Sequence, residues 1–387
     1  MSGAGRPASA IESSPAPARS WPDRVHGWRN RLVASPGFQR WAARFLLTRP
    51  IARRQARALF DLCAGFVYGQ VLAACVQLRL FELLAEGPLE TAELSRRLAL
   101  PPDSTRRLLG AAASLRLLDR LGPERWGLGL LGAASLGNPG IAAMVSHHGL
   151  LYGDLADPVR LLRRGRGDTA LARYWPYAQP GTELTDAAVE PYSRLMAASQ
   201  PLVAGEILDA YPLARHRSLL DIGGGDGAFA SAALRRAPKL AITLFDLPAV
   251  AALARDRFAR EGLTNRATAV GGSFLADPMP SGSDVATLIR IIHDHDDGPA
   301  LAILRAAHRA LAPGGMLILA EPMAGAAGAE PVGDAYFAFY LLAMGSGRAR
   351  TERELAALMS AAGFVAVRRR RTALPMLTGV LTAKTPG

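Results

Sequence analysis

With 387 residues, half of them apolar, and a net charge of +12, the chain has room for two globular domains and a large core, which excludes a small disulfide-stapled scaffold and a wholly disordered one. Its two cysteines, Cys63 and Cys75, lie twelve residues apart in one apolar segment, a spacing that suits neither a zinc site nor a redox pair and points to reduced, buried thiols in the cytosol. Forty-three arginines stand against two lysines along the whole chain, a bias that weakens any argument from arginine number alone.

Residues 1–20 are rich in Ser, Pro, Ala and Gly and read as disordered. The first 60 residues carry eleven arginines against Glu12 and Asp23, so this arm holds +9 of the chain's +12. Within it, Phe38, Trp41, Ala42, Phe45 and Leu46 fall on one helical stripe, with Arg40 and Arg44 on other faces, and Pro50 is expected to stop the run. A basic amphipathic helix carrying Trp and Phe suits an anionic membrane surface. Packing against the protein's own core or a second subunit, or a cleaved targeting segment, are the competing readings; no signal-peptide h-region precedes a small-residue cleavage site. The seventeen uncharged residues 62–78 are the one stretch long enough to be weighed as a membrane span. Gln70, Gln77 and two glycines favour instead a buried interdomain or dimer helix.

A basic arm over 1–57 is thus followed by a compact helical block over 58–135. It contains helices at 91–98 and 104–117, the latter N-capped by Asp103 or Ser104, and a short two-stranded wing over 118–128. Helix, turn, helix and wing is the winged-helix arrangement, and it raises the reading of a DNA-binding regulator. The second helix offers only Arg106 and Arg107 to a groove before an apolar run, so nucleic acid is not expected as a partner.

Residues 136–205 connect, with His147, His148, Tyr152, Tyr174, Trp175, Tyr177, Tyr192 and Met196 as aromatic and polar side chains. From 206 to 387 apolar strands alternate with helices, the signature of a parallel α/β sheet. Strands are expected at 218–222, 241–246, 267–271, 284–292 and 316–321, helices at 226–237, 248–262 and 297–312, and a closing strand pair after 363. The run 219–227, LLDIGGGDG, reads as a strand breaking into a glycine turn. Glycines belong where backbone turns sharply against a ligand. Asp246 ends the next strand, placed to bind ribose hydroxyls. The spacing is GxGxG rather than GxGxxG and no lysine follows, which favours a nucleoside ligand without a pyrophosphate; S-adenosylmethionine fits. No metal is expected.

The segments LLDIGGGDG (219–227), FDLPAV (245–250), VGGSF (270–274), IIHDHDD (291–297), ALAPGGMLILAEP (310–322), GRART (347–351) and SAAGF (360–364), in that order, resemble the small-molecule O-methyltransferases of the plant-caffeate and bacterial type. The resemblance covers about 58–385. It implies a Rossmann-like seven-stranded sheet with an antiparallel last strand, an N-terminal helical, winged-helix-like dimerisation domain, a homodimer, and S-adenosylmethionine as donor. The segments 65–84, 146–165 and 173–178 look like the branch that methylates hydroxylated carotenoids in phototrophic bacteria.

On this resemblance, Gly223 and Gly225 let the backbone approach the methionine end of the cofactor, and Asp221 meets its amino group or satisfies local backbone N–H groups. Asp246 binds the ribose, Leu247 packs on adenine, and Ser273 and Phe274 flank it, Ser273 replacing the usual acid. His293 is the candidate general base: an imidazole just past a strand's carboxyl end, largely neutral at pH 7. Asp294 matches a family residue, and His295 stands where tryptophan is usual. Glu321 matches the carboxylate that orients the base. A second such acid is replaced by Ala349, leaving Glu321 alone or a substitute such as Glu352. His148, Tyr152, Trp175, Met196, Phe337, Phe339, Tyr340 and Met344 are expected to line an apolar acceptor pocket. The leading acceptor is the tertiary hydroxyl of an acyclic carotenoid, against a phenolic or polyketide hydroxyl, a tetrapyrrole carbon, or a relative that binds the cofactor without transferring methyl. The expected location is cytoplasmic, peripheral on the inner face of a photosynthetic membrane.

Overall fold

The computed structural model describes residues 20–165, 168–174 and 186–387, with backbone alone for 186–194, and divides the chain into two units, 1–70 and 71–387. The first unit opens with α1 (Trp21–Ala34), which Ser20 and Asp23 close with a reciprocal capping box. Ser35 caps α2 (Pro36–Arg44), where Trp41 stacks on Phe45 with centroids 5.0 Å apart. The amphipathic stripe is present, but the helix ends at Arg44 and Leu46 lies beyond it. Pro50 does not stop a helix; it sits in the first turn of α3 (Arg49–Gln77), where a missing N–H costs nothing. The 57/58 boundary expected from charge therefore falls inside a continuous helix.

Of the 29 residues of α3, only Ala73 and Cys75 are buried, while Leu62 is 82% exposed. The single chain leaves most of 62–78 unburied, and Cys63 is exposed where a buried thiol was expected; burial of this helix in a dimer is not tested by one chain. By length and composition alone α3 could cross a membrane.

The second unit begins with α4 (Leu80–Ala85), β1 (Leu89–Glu90), α5 (Thr91–Leu98), α6 (Pro102–Ser114), β2 (Leu118–Arg120) and β3 (Arg125–Leu128). The wing has three strands, in order β1-β3-β2, one more than its turn residues signal. α6 starts at Pro102, with Pro101 rather than Asp103 or Ser104 at its cap. Leu109, Ala112 and Trp126 are buried together with Leu80 and Leu94. Arg106 is tied to Asp103 and Glu124, at 3.1 and 3.4 Å.

Next come α7 (Leu130–Leu136), α8 (Pro139–Asp154), α9 (Pro158–Arg164), α10 (Ala170–Tyr174) and α11 (Asp186–Ala210). The boundaries expected at 135/136 and 205/206 fall inside α7 and α11. The remainder is β4 (Ser218–Ile222), α12 (Ala228–Arg236), β5 (Ala241–Asp246), α13 (Pro248–Arg260), β6 (Ala267–Gly271), β7 (Ser283–Ile289), α14 (Asp297–Ala310), β8 (Leu311–Glu321), β9 (Met323–Ala324), α15 (Ala338–Met344), β10 (Arg350–Thr351), α16 (Glu352–Ala361), β11 (Val365–Arg370) and β12 (Gly379–Lys384). Seven strands form one sheet in the order β11-β12-β8-β7-β4-β5-β6, with β12 antiparallel to both neighbours.

Alternation along the strands decides the two cores. Leu219, Leu244, Val285 and Ile318 pack with α11, α12 and α13 residues such as Ile207, Phe229 and Phe258. Leu220, Phe245, Leu288 and Leu319 pack with Ile303, Leu304, Leu355 and Met359 of α14 and α16. With both faces covered, ligands are left the carboxyl ends of the strands, where the order reverses between β4 and its neighbours.

Candidate active site

The expected site residues of β4, β5, β7 and β8 and the loops after them converge at that edge. After β4 the chain turns through Gly223, Gly225 and Gly227, all with positive φ, a region open to glycine and strained for other residues. The three have different tasks. A Cβ on Gly223 would lie 2.4 Å from Ile291 Cδ1, so this glycine serves packing as well as the turn. One on Gly227 would lie 2.7 Å from the Phe258 ring, whereas one on Gly225 would meet nothing within 4 Å. The space beside Gly225 is therefore open for a ligand.

Asp246 holds that loop. Its Oδ2 accepts from Gly225 N–H at 2.9 Å and its Oδ1 from Leu247 N–H at 2.8 Å, which leaves each oxygen a second acceptor position. Burial pushes its pKa up to about 6. Asp221 is also buried; Oδ1 accepts from Thr287 Oγ1 at 2.7 Å, and Oδ2 has no hydrogen-bond partner among the described residues. Local backbone N–H groups do not satisfy it. Burial moves this carboxyl up to about 7.

These features fit S-adenosylmethionine. A buried carboxylate oxygen without a donor suits the ammonium of its methionine end, an acceptor pair on the loop suits a ribose diol, and a cation offsets the desolvation of these acids. Ser273 opens a tight turn: its N–H donates to Asp277 Oδ2 at 2.8 Å, and its Oγ accepts from Leu275 N–H at 3.3 Å. Phe274 stands edge-on to His295 with centroids 5.6 Å apart, so an aromatic wall persists without the usual tryptophan.

His293 lies in a short 3-10 turn, Ile292–Asp294, directly after β7. The chain enters this turn through Arg290, at φ 57, whose guanidinium bonds Ser199 Oγ, Gln200 Oε1 and the Met196 carbonyl of α11. Sequence reading missed Arg290; nothing in its local pattern marks a left-handed arginine.

Glu321, at the end of β8, holds the base from behind. Its Oε2 lies 2.5 Å from His293 Nδ1, while Oε1 accepts from the N–H groups of Ile291 and Ile292 at 3.0 and 2.6 Å. The other imidazole nitrogen, Nε2, is 3.0 Å from Asp294 Oδ1. Burial by itself pulls the imidazole pKa down, but Asp294 and Glu321 outweigh it and the net direction is up. Burial raises Asp294 to about 7, against the pull of His293. Glu352 is not a second orienting acid: it is paired with Arg369 at 3.0 Å. Asp294 takes the position beside the imidazole instead.

Of the residues expected to line an acceptor pocket, several lie close together. Phe337, in a π-helical turn (Pro331–Phe337) leading into α15, meets the His293 ring edge-on at 5.6 Å. Tyr340 and Met344 are buried in one cluster with Leu151 and Leu171, and half-buried Met196 offers its carbonyl to Arg290. His148 Nε2 bonds Tyr336 Oη, and His147 Nε2 bonds Tyr340 Oη, both at 2.9 Å. The adjacent histidines and the tyrosines four apart were the available signal for these pairs. Tyr152 is 39% exposed and outside this cluster, contrary to expectation; Trp175 lies outside the described residues.

The chain is similar to known proteins over nearly its full length. Residues 152–365 match the O-methyltransferase domain model and residues 60–134 the O-methyltransferase dimerisation domain model. The demethylspheroidene O-methyltransferase of Cereibacter sphaeroides is 43% identical over 92% of this chain and 94% of its own length. That of Rhodobacter capsulatus is 40% identical over 97% and 93%. Human N-acetylserotonin methyltransferase, solved with its methyl donor, superposes with a TM-score of 0.72 over 86% of this chain and 98% of its own, at 24% identity, and shows the shared fold. With a dimerisation module, a seven-stranded sheet and a buried acid and histidine site at the strand ends, the chain belongs to the S-adenosylmethionine-dependent O-methyltransferase family.

Proposed function

We propose that this O-methyltransferase methylates the tertiary hydroxyl of a hydroxylated acyclic carotenoid, with His293 as general base. The observation that carries the base assignment is the buried pair of His293 Nδ1 and Glu321 Oε2. The acceptor class is supported by the two relatives named above, which match the connecting region as well as the sheet, and by the apolar ring of Phe337 set edge-on against the His293 imidazole.

Bound S-adenosylmethionine supplies an electrophilic methyl on a sulfonium. Asp246 would hold its ribose end, Asp221 its amino group with the backbone at Gly225 close to the methionine end, and Leu247, Ser273 and Phe274 would flank the adenine. The protein's main task is alignment, which contributes about 7–11 kcal/mol when attacking oxygen and methyl carbon are held in line. His293 Nε2 exchanges Asp294 for the acceptor hydroxyl and takes its proton as the new O–C bond forms and the S–C bond breaks. Glu321 stabilises the resulting imidazolium, and Asp294 keeps the acceptor oxygen beside it. A tertiary alcohol does not ionise beforehand, so proton transfer accompanies methyl transfer.

Full-length enzyme is assayed with labelled donor against a hydroxylated acyclic carotenoid in micelles, a phenol, a polyketide phenol and a tetrapyrrole. The carotenoid is expected to be methylated, and His293→Ala to lower kcat by about 10²–10⁴-fold. Label only in a phenol or tetrapyrrole moves the acceptor to that class; an unchanged rate in His293→Ala removes the base.

A membrane-surface role for the arm is the companion reading, supported by α2, where Trp41 is 50% exposed beside Arg40 and Arg44. An acceptor dissolved in lipid calls for such contact, on the cytoplasmic face of the membrane that holds it.

A further inference from the structure

All four backbone carbonyls of 292–295, the stretch that carries His293, are held by one segment, 346–350. Arg350 Nη1 donates to Ile292 O at 2.8 Å and Nη2 to His295 O at 2.7 Å. Arg348 N–H donates to His293 O at 2.8 Å, and Ser346 Oγ to Asp294 O at 2.8 Å. Between them Gly347, at φ +76, runs so close that a Cβ there would lie 2.0 Å from His293 O. The same guanidinium bonds Asp297 Oδ1 through Nε and Nη2, at 2.9 and 2.7 Å.

The Arg350 side chain is fully buried, with Asp297 as its carboxylate partner at 58% side-chain exposure. Burying a guanidinium carries a desolvation cost that good geometry and further hydrogen bonds must offset, and an apolar side chain would fill the same space without it. A planar fork does what an aliphatic chain does not: it fixes two carbonyls and a carboxylate in one plane. β10, through Arg350 and Thr351, pairs with β9 directly after Glu321, so the clamp and the orienting acid share one support.

We propose that Arg350 is a positioning residue for methyl transfer: it locks the 292–295 turn so that the His293 imidazole stays aligned on Glu321. This rests on His293 being the base, and the test separates the two ideas.

Full-length Arg350→Lys, Arg350→Ala and Gly347→Ala are compared with wild type and His293→Gln for kcat, KM, pH–rate profile and donor affinity by calorimetry. A misplacement of about 1 Å can cost about 10²-fold in rate, so Arg350→Lys is expected to lower kcat by about that factor. The acid limb of its pH–rate profile should shift, while donor affinity stays within about twofold because the Gly225 loop is untouched. Millimolar guanidinium should restore part of the rate of Arg350→Ala, and Arg350→Lys should add no further loss to His293→Gln, since residues acting as a unit are non-additive. A normal kcat and pH profile in Arg350→Lys, a loss of donor affinity parallel to kcat, or a full additional loss on His293→Gln would overturn the proposal. Should Arg350→Lys be insoluble, Gly347→Ala, aimed at the His293 carbonyl, carries the same test, and a normal rate there overturns it. Wild-type rate in His293→Gln instead sinks the base assignment itself, a result distinct from an inactive His293→Gln beside a normal Arg350→Lys.

Discussion

Burial raises the pKa of three carboxyl groups at this edge, Asp221 to about 7, Asp246 to about 6 and Asp294 to about 7. Unfolded aspartates titrate near 3.9, so from roughly pH 4 to 7 the folded, ligand-free enzyme binds more protons than the unfolded chain. The stability these three acids contribute is then greatest in the lower part of that window and falls as pH rises through the folded values. A cationic donor favours the ionised acids, so the rise in Tm produced by S-adenosylmethionine is expected to grow between pH 5 and 7.5. A thermal shift independent of pH would mean that the donor does not neutralise these acids. The upward direction at His293 has its own consequence. The rate requires a neutral imidazole, so the acid limb of kcat/KM is expected above the ordinary histidine value near 6.5. A limb below that value would contradict the Glu321 and Asp294 geometry. Among single residues, Asp246 was readable from its place at the end of the strand after the glycine turn, whereas His293 and Glu321 were singled out by the resemblance of IIHDHDD and ALAPGGMLILAEP. Arg290 and Arg350 were not, because their partners lie 90 and 58 residues away in the chain.

Element by element, the sheet was legible and the ends of elements less so. β4, β5 and β6 match the expected 218–222, 241–246 and 267–271, since apolar alternation bounded by turn residues marks a strand directly. β7 stops at Ile289 rather than 292, because Arg290 adopts φ 57 and Ile291–Ile292 are drawn onto Glu321. The glycine turn likewise held more than spacing conveys, because its glycines face different surroundings. Gly225→Ala and Gly227→Ala each place a side chain in the left-handed region, at a cost of about 1–2 kcal/mol. Gly227→Ala also strikes the Phe258 ring, so denaturant unfolding should show it the less stable of the two by about 1 kcal/mol or more. Gly225→Ala should instead lose donor affinity by more than about tenfold, as a methyl enters open space at the ligand face. Equal donor affinities in the two variants would contradict that assignment.

For the molecule as a whole, the arm and the long helix α3 are the features that the sequence describes only as composition. If α2 meets an anionic surface, full-length enzyme should sediment with acidic-lipid vesicles at low salt and be released as salt screens the arginines. Trp41→Ala combined with Phe45→Ala should weaken that binding while leaving donor affinity intact; equal binding to neutral vesicles, or none to acidic ones, would remove the surface role. The sequence by itself determined the strand and helix succession, the glycine turn and the acid after β5, and its motif resemblance pointed to the histidine after β7. The first three are written in local periodicity and in residues a few positions apart, which backbone sterics and burial convert directly into structure. Only the tertiary structure decided that Glu352 belongs to Arg369, that Asp294 faces the imidazole, that Gly223 and Gly225 have different tasks, and that segment 346–350 grips the base turn. Those outcomes depend on which distant side chains meet at the carboxyl ends of the strands, and hydrogen bonds between groups far apart in the chain leave no periodic mark along it.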